Sequence, residues 1–148
     1  MKTIAKILIV VLLLITLYKL FDYAKKHSSH KAMEFFDKGH PVIDELKNTL
    51  KHVHPEFSKI RIVVGDQSYT LNKEKVFLCL HDKKTGKLYD KNMLTYVLLH
   101  EMAHVLNKED EGHTPAFHKK FDQLLDIATK KGIYDPNIPL VEDYCPES

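Results

Sequence analysis

His100-Glu101-Met102-Ala103-His104 lies inside an apolar run, with Val97, Leu98 and Leu99 before it and Val105 and Leu106 after it. The run reads as a helix. On a helix, residues i and i+4 lie about 40° apart around the axis, so both imidazoles leave the same face one turn apart. Two imidazoles so placed can grip one Zn²⁺, and the adjacent Glu can act as base on a water that the metal activates. A solvated helix face would not carry two His and a Glu within such a stretch. Buried polar side chains need partners, and a metal ion provides one. The pentapeptide therefore predicts a zinc-dependent peptidase built around a buried helix.

A catalytic zinc takes three protein ligands and keeps one position open. His100 and His104 supply two. His113 is the foremost candidate for the third: eight residues separate it from His104, enough for the chain to turn back on the helix. It also precedes Thr114-Pro115, a helix start with Thr as N-cap and Pro at the first helical position. His118, Asp110, Glu111 and Glu142 are the alternatives. His27, His30, His40, His52, His54 and His81 show no paired spacing and take surface or incidental roles by default.

The second strong signal is at the N-terminus. Ile4 to Phe21 is apolar except for Lys6, Thr16 and Lys19. At the helical rise this segment reaches roughly 27 Å, close to the hydrocarbon thickness of a bilayer. Lys6 and Lys19 can snorkel to the interface, and Tyr18, Phe21 and Tyr23 suit an interfacial belt. No small-x-small cleavage site follows the run, so an uncleaved single-pass anchor is preferred to a signal peptide. The lysine balance across the segment points to a domain facing the cytosol.

The remainder reads as one domain with a modest core. Residues 1–26 hold five lysines against Asp22, so of 22 basic and 20 acidic residues in the chain, 17 and 19 fall after the anchor. A slightly acidic domain does not advertise nucleic-acid binding. Two cysteines, Cys79 and Cys145, make no disulfide framework and no CxxC metal site. One bridge can form between them, but two thiols in a reducing compartment are the simpler reading.

Residues 27–40 form a linker, with a helix start expected over 32–38. From Pro41, the spacing of Val42, Ile43, Leu46, Leu50 and Val53 predicts a helix that Pro55 stops. Ile60–Val64, Tyr69–Leu71 and Val76–Leu80 read as short strands. The helix bearing the pentapeptide begins at Asp90 or Asn92 and runs to about Asn107. The next carries Phe117, Phe121, Leu124, Leu125 and Ala128 on its apolar face and ends at Lys130-Lys131-Gly132. A tail with Pro136, Pro139 and Pro146 follows.

Taken with Glu111-Gly112-His113-Thr114-Pro115-Ala116-Phe117 and Phe121, the pentapeptide resembles the WLM/SprT-like metallopeptidases, and among them the short WLM-domain proteins of large DNA viruses. Val76–Leu80, Gly112–Pro115 and Tyr144-Cys145 extend the likeness, which covers roughly residues 42–145. The resemblance implies an α+β, minimal zincin-like domain over residues 41–148, a small sheet packed on the HExxH helix and its flanking helices. It implies His113 as third ligand, Phe117 as a core residue, Zn²⁺ as cofactor and a protein or peptide as substrate. In the cellular members the substrates are proteins on DNA. This chain departs from them in carrying an apolar N-terminal segment and no appended ubiquitin-like, zinc-finger or basic DNA-binding region.

The expectation is thus a membrane-anchored zinc endopeptidase with Glu101 as general base. Its alternatives are a non-catalytic, membrane-anchored zinc protein that binds a partner, and a protease acting on DNA-associated proteins. Tyr134, Tyr144 and His118 are candidates for an additional oxyanion donor. The Val76–Leu80 strand is expected to be an edge on which an extended substrate can pair.

Overall fold

The computed structural model describes residues 11–22, 40–109 and 111–145. Backbone contacts divide the chain into two units, residues 1–35 and residues 36–148. In the first, residues 11–22 form a helix (α1) with exposed side chains, and the Thr16 hydroxyl donates to the Leu13 carbonyl at 2.9 Å. No helix among the described residues is long and apolar enough to cross a membrane. The spanning helix expected over residues 4–21 is therefore not found among them; residues 4–10 lie outside the described residues, as does the helix start expected over 32–38.

The second unit is α+β. Its elements run α2 (Pro41–Leu50), α3 (Glu56–Lys59), β1 (Arg61–Val64), β2 (Tyr69–Leu71), β3 (Lys75–Leu78), α4 (Lys91–Leu106) and α5 (Pro115–Lys130). Pro41 opens α2 at a position where its missing N–H costs nothing. Ile43, Leu46 and Leu50 then fall on one buried face. The single turn α3 has no counterpart in the sequence reading, since four residues are too few to show a period; it buries Phe57. Lys47 closes the gap between α2 and α3 by donating from Nζ to the Ile60 carbonyl at 2.9 Å.

The sheet has the order β1-β3-β2, with β1 parallel and β2 antiparallel to β3. The strand expected to lie at an edge is thus the central one. Val76, Phe77 and Leu78 are all buried, and with β1 and β2 paired on its two sides β3 has no open backbone to offer. The free edge next to the helices belongs to β2. A tight turn leads from β2 to β3, in which Glu74 N–H donates to the Leu71 carbonyl at 3.1 Å and Asn72 and Lys73 take φ of 52° and 58°. After β1 the chain passes close to β3 at Gly65, where a Cβ would meet Phe77 Cβ at 3.2 Å.

Helix α4 packs against β2 and β3 on one side and α5 on the other. Being covered nearly all round, it is apolar nearly all round: Leu94, Leu98, Leu99, Met102 and Ala103 are each at most 1% exposed. Each large apolar side chain of this kind contributes about 1.5–3 kcal/mol on burial. Asp90 caps the helix by accepting from Met93 N–H at 2.9 Å. Thr114 caps α5 by accepting from Phe117 N–H, and Gly132, at φ 65°, ends it.

The tail is fastened to the body at several points. Asn92 exchanges hydrogen bonds with the backbone of Asp135, at 3.0 and 2.8 Å. Further on, Cys145 forms a disulfide with Cys79, 66 residues earlier and 6.4 Å away between Cα atoms. Neither cysteine is the free thiol that the count alone suggested. Their pairing depends on the tail folding back over the end of β3, which no local pattern announces. Beside the bridge, the Tyr144 hydroxyl donates to the Cys79 carbonyl at 2.5 Å and lies 2.8 Å from Ser68 Oγ.

Candidate metal centre

The site is assembled from α4, the loop that follows it, and the first turns of α5. The rigid, buried α4 presents His100 and His104 one turn apart, with ring centroids 5.1 Å from each other. Gly112, at φ 79°, lets the loop double back, and His113 follows just before the Thr114 cap. His113 Nε2 then lies 3.0 Å from His100 Nε2 and 3.2 Å from His104 Nε2. Among the described residues these three form the group able to hold a metal ion.

This geometry fits a tetrahedral metal. Zn–N bonds of ordinary length at tetrahedral angles put ligand nitrogens about 3.3 Å apart. Hydrogen bonding alone accounts for the cluster less well. A ring nitrogen offers one in-plane site, either a proton or a lone pair, so His113 Nε2 cannot make two well-aligned hydrogen bonds to its neighbours. A cation accepts all three lone pairs at once. The electrostatics agree: burial, followed by the proximity of His104 and His113, pushes the His100 imidazole down to about 4. Burial likewise lowers His104, with His113 and Lys73 adding to it. Both rings are thus held in the neutral form that ligates metal.

Phe117, fully buried, forms the floor of the site. Its ring stacks on His104 at 4.3 Å between centroids and meets His113 and His100 edgewise at 4.8 and 5.0 Å. Phe121 meets His100 at 5.2 Å. The sequence placed these residues on the apolar face of α5 without indicating that they support all three imidazoles.

Glu101, the next residue along α4, reaches towards β2 at the margin of the same groove and is only 6% exposed. Its Oε2 accepts from the Thr70 hydroxyl at 2.8 Å. Burial raises its pKa from the ordinary carboxylate value, and the Thr70 bond opposes that rise. A groove runs past it on both sides. One arm is lined by Tyr69, Thr70, Leu71, His104 and His113, the other by Met93, Tyr96, Val97 and Tyr144; Ser68, His100 and Glu101 border both.

The other candidates fall elsewhere. His118 lies on α5 with its ring 6.3 Å from that of His113. Glu111 borders the groove but is exposed and not in the cluster, Glu142 is exposed on the tail, and Asp110 lies outside the described residues. Tyr134 packs against Tyr96 in the core. Tyr144 does reach the groove, although its hydroxyl is engaged with Ser68 and Cys79. Thr70, unmarked in the sequence, is the functional candidate that the structure adds, since nothing local ties a strand residue to a helix 31 positions later.

The chain is similar to three viral proteins. It is 47% identical over 91 residues to "Uncharacterized protein 136R" of Invertebrate iridescent virus 6, covering 60% of this chain and 51% of that protein. It is 47% identical over 89 residues to "Uncharacterized protein 042R" of Invertebrate iridescent virus 3, covering 60% and 55%. With "Uncharacterized protein R325" of Acanthamoeba polyphaga mimivirus it shares 44% over 68 residues, covering 45% and 34%. The chain spans about half the length of the two iridescent-virus relatives. No family model matches the chain, and no solved structure matches it.

Proposed function

We propose that this chain is a zinc-dependent endopeptidase of the WLM/SprT-like, zincin-like kind, tethered to a membrane through residues 4–21. The observation that carries the reading is the convergence of three imidazole nitrogens beside a buried carboxylate that none of them binds. His100, His104 and His113 would hold Zn²⁺. When bound, the ion supplies Lewis acidity, which lowers the pKa of a water towards neutrality and polarises a carbonyl.

Glu101 performs the proton transfers. Its carboxylate takes the proton of the attacking water, and the resulting acid delivers it to the departing amine nitrogen as the C–N bond breaks. Burial suits it to this task, because a carboxyl with a raised pKa is the stronger base towards the water's proton. The groove explains how a chain is presented. The open edge of β2 borders it, so an extended peptide can pair with that strand while its side chains enter the arms on either side. The substrate is therefore an unfolded or extended protein segment.

Glu101 also weighs against a purely structural metal site, which has no use for a buried, uncoordinated carboxylate. The acidic balance after residue 26 weighs against intrinsic DNA affinity. The Cys79–Cys145 bridge favours the domain on the oxidising side of its membrane, in place of the cytosolic side that the lysines suggested.

The test uses the full chain loaded with one equivalent of zinc and β-casein, an unstructured protein, as probe. Wild type cleaves it; Glu101→Gln retains its zinc and loses roughly 10²- to 10⁴-fold in rate, the span of general acid–base catalysis. A Glu101→Gln variant as active as wild type would remove the base from this role, and a zinc-loaded wild type that leaves casein intact would defeat the peptidase reading.

A further inference from the structure

We infer that Thr70 is a positioning residue for Glu101: its hydroxyl pins Oε2, so that Oε1 is the oxygen that handles the proton, and it couples the base to the edge strand along which substrate lies. The inference deepens the peptidase reading and rests on it.

The contact is close and enclosed. Thr70 Oγ1 lies 2.8 Å from Glu101 Oε2 and 3.1 Å from the Glu101 carbonyl oxygen. A hydroxyl has a single proton to donate, and an ionised carboxylate is a stronger acceptor than an amide carbonyl. The proton therefore goes to Oε2, the shorter of the two contacts. Thr70 is half-buried and Glu101 is almost wholly so. Without the hydroxyl, a buried carboxylate oxygen would lose the hydrogen-bond partner that orients it.

The consequence is geometric. A carboxylate fixed only by its own torsions samples a broad range about its last bond. With Oε2 tied to β2, that rotation is restricted and Oε1 is the oxygen left to handle the proton. The tie also spans two elements. Glu101 rides on α4 beside His100, whereas Thr70 is the middle residue of β2, paired to Val76 of β3. Any chain laid against the open edge of β2 is thereby held in register with the carboxylate. Such preorganisation acts on the chemical step more than on binding.

The experiment compares full-length, zinc-loaded wild type, Thr70→Val and Thr70→Ser on β-casein, with zinc content measured for each. Valine keeps the shape and loses the hydroxyl; serine keeps the hydroxyl. Thr70→Val should lower kcat on the order of 10²-fold, with KM within about twofold and zinc unchanged. Thr70→Ser should stay within about threefold of wild type. A second readout needs no turnover: in the metal-free chain, the ¹³C resonance of the Glu101 carboxyl should shift in Thr70→Val and stay in place in Thr70→Ser. Wild-type kcat in Thr70→Val, or a loss in Thr70→Ser equal to that in Thr70→Val, would overturn the inference. An unchanged carboxyl resonance in Thr70→Val would do the same. If wild type itself fails to cleave, the peptidase reading falls, and the carboxyl resonance alone decides whether Thr70 orients Glu101.

Discussion

The two sides of helix α4 differ in how their structure is held. On the side of α5, His100, His104, His113 and Phe117 all lie within 18 consecutive residues, and helix periodicity plus one doubled-back loop brings them together. On the side of the sheet, Thr70 meets Glu101 across 31 positions, Ser68 meets Tyr144 across 76, and Cys79 meets Cys145 across 66. The histidine cluster is thus a product of local geometry, whereas the groove beside it is a product of chain closure. The difference teaches where each part is vulnerable: the cluster to changes in α4 and α5, the groove to release of the tail.

Phe117→Ala puts this to its harshest test. The ring is fully buried and touches all three imidazoles, so its loss should cost about 3–5 kcal/mol in urea unfolding. It should also weaken zinc binding, read by competition with a chromogenic chelator. A variant that binds zinc as tightly as wild type would mean that α4 and the loop fix the cluster without α5.

Cutting the tail's covalent tie comes next. By closing a loop of 66 residues, the bridge should contribute about 2–4 kcal/mol, so Cys145→Ser should unfold at correspondingly lower denaturant. Zinc stoichiometry should not change, because all three imidazoles come from α4 and the loop that follows it. Loss of zinc in this variant would erase the distinction between the two sides.

A smaller effect follows from His100. Its folded-state pKa, about 4, lies below the ordinary imidazole value of 6.5. Between those values the unfolded chain binds more protons than the folded one, so the metal-free protein should lose stability as pH falls from about 6.5 towards 4. Partial exposure of the ring keeps the change modest. Denaturant midpoints of wild type and His100→Phe across that window would show it, the variant having the flatter profile; equal slopes would assign the loss to other groups.

The same contrast governs what the sequence disclosed. The pentapeptide, the Thr114-Pro115 start, the three strands and the apolar face of α5 were all legible, because each is a short-range pattern with its own period or cap. Tyr69–Leu71 was recognised as a strand while its place at the edge was not, since sheet order depends on which strand threads between the others. The cysteines pointed to thiols because a count of two says nothing about whether a tail returns. Glu101 is marked by its neighbours in the motif, whereas its contact with Thr70 is visible only in the fold.

The central claim is that His100, His104 and His113 form one metal site. Zinc content of the full-length chain, purified in zinc-supplemented buffer and dialysed, tests it most directly, with His113→Ala and His118→Ala measured alongside. One zinc per chain in wild type and His118→Ala, with most of it gone from His113→Ala, is the predicted result. Full retention of zinc in His113→Ala, or none in wild type, would contradict it.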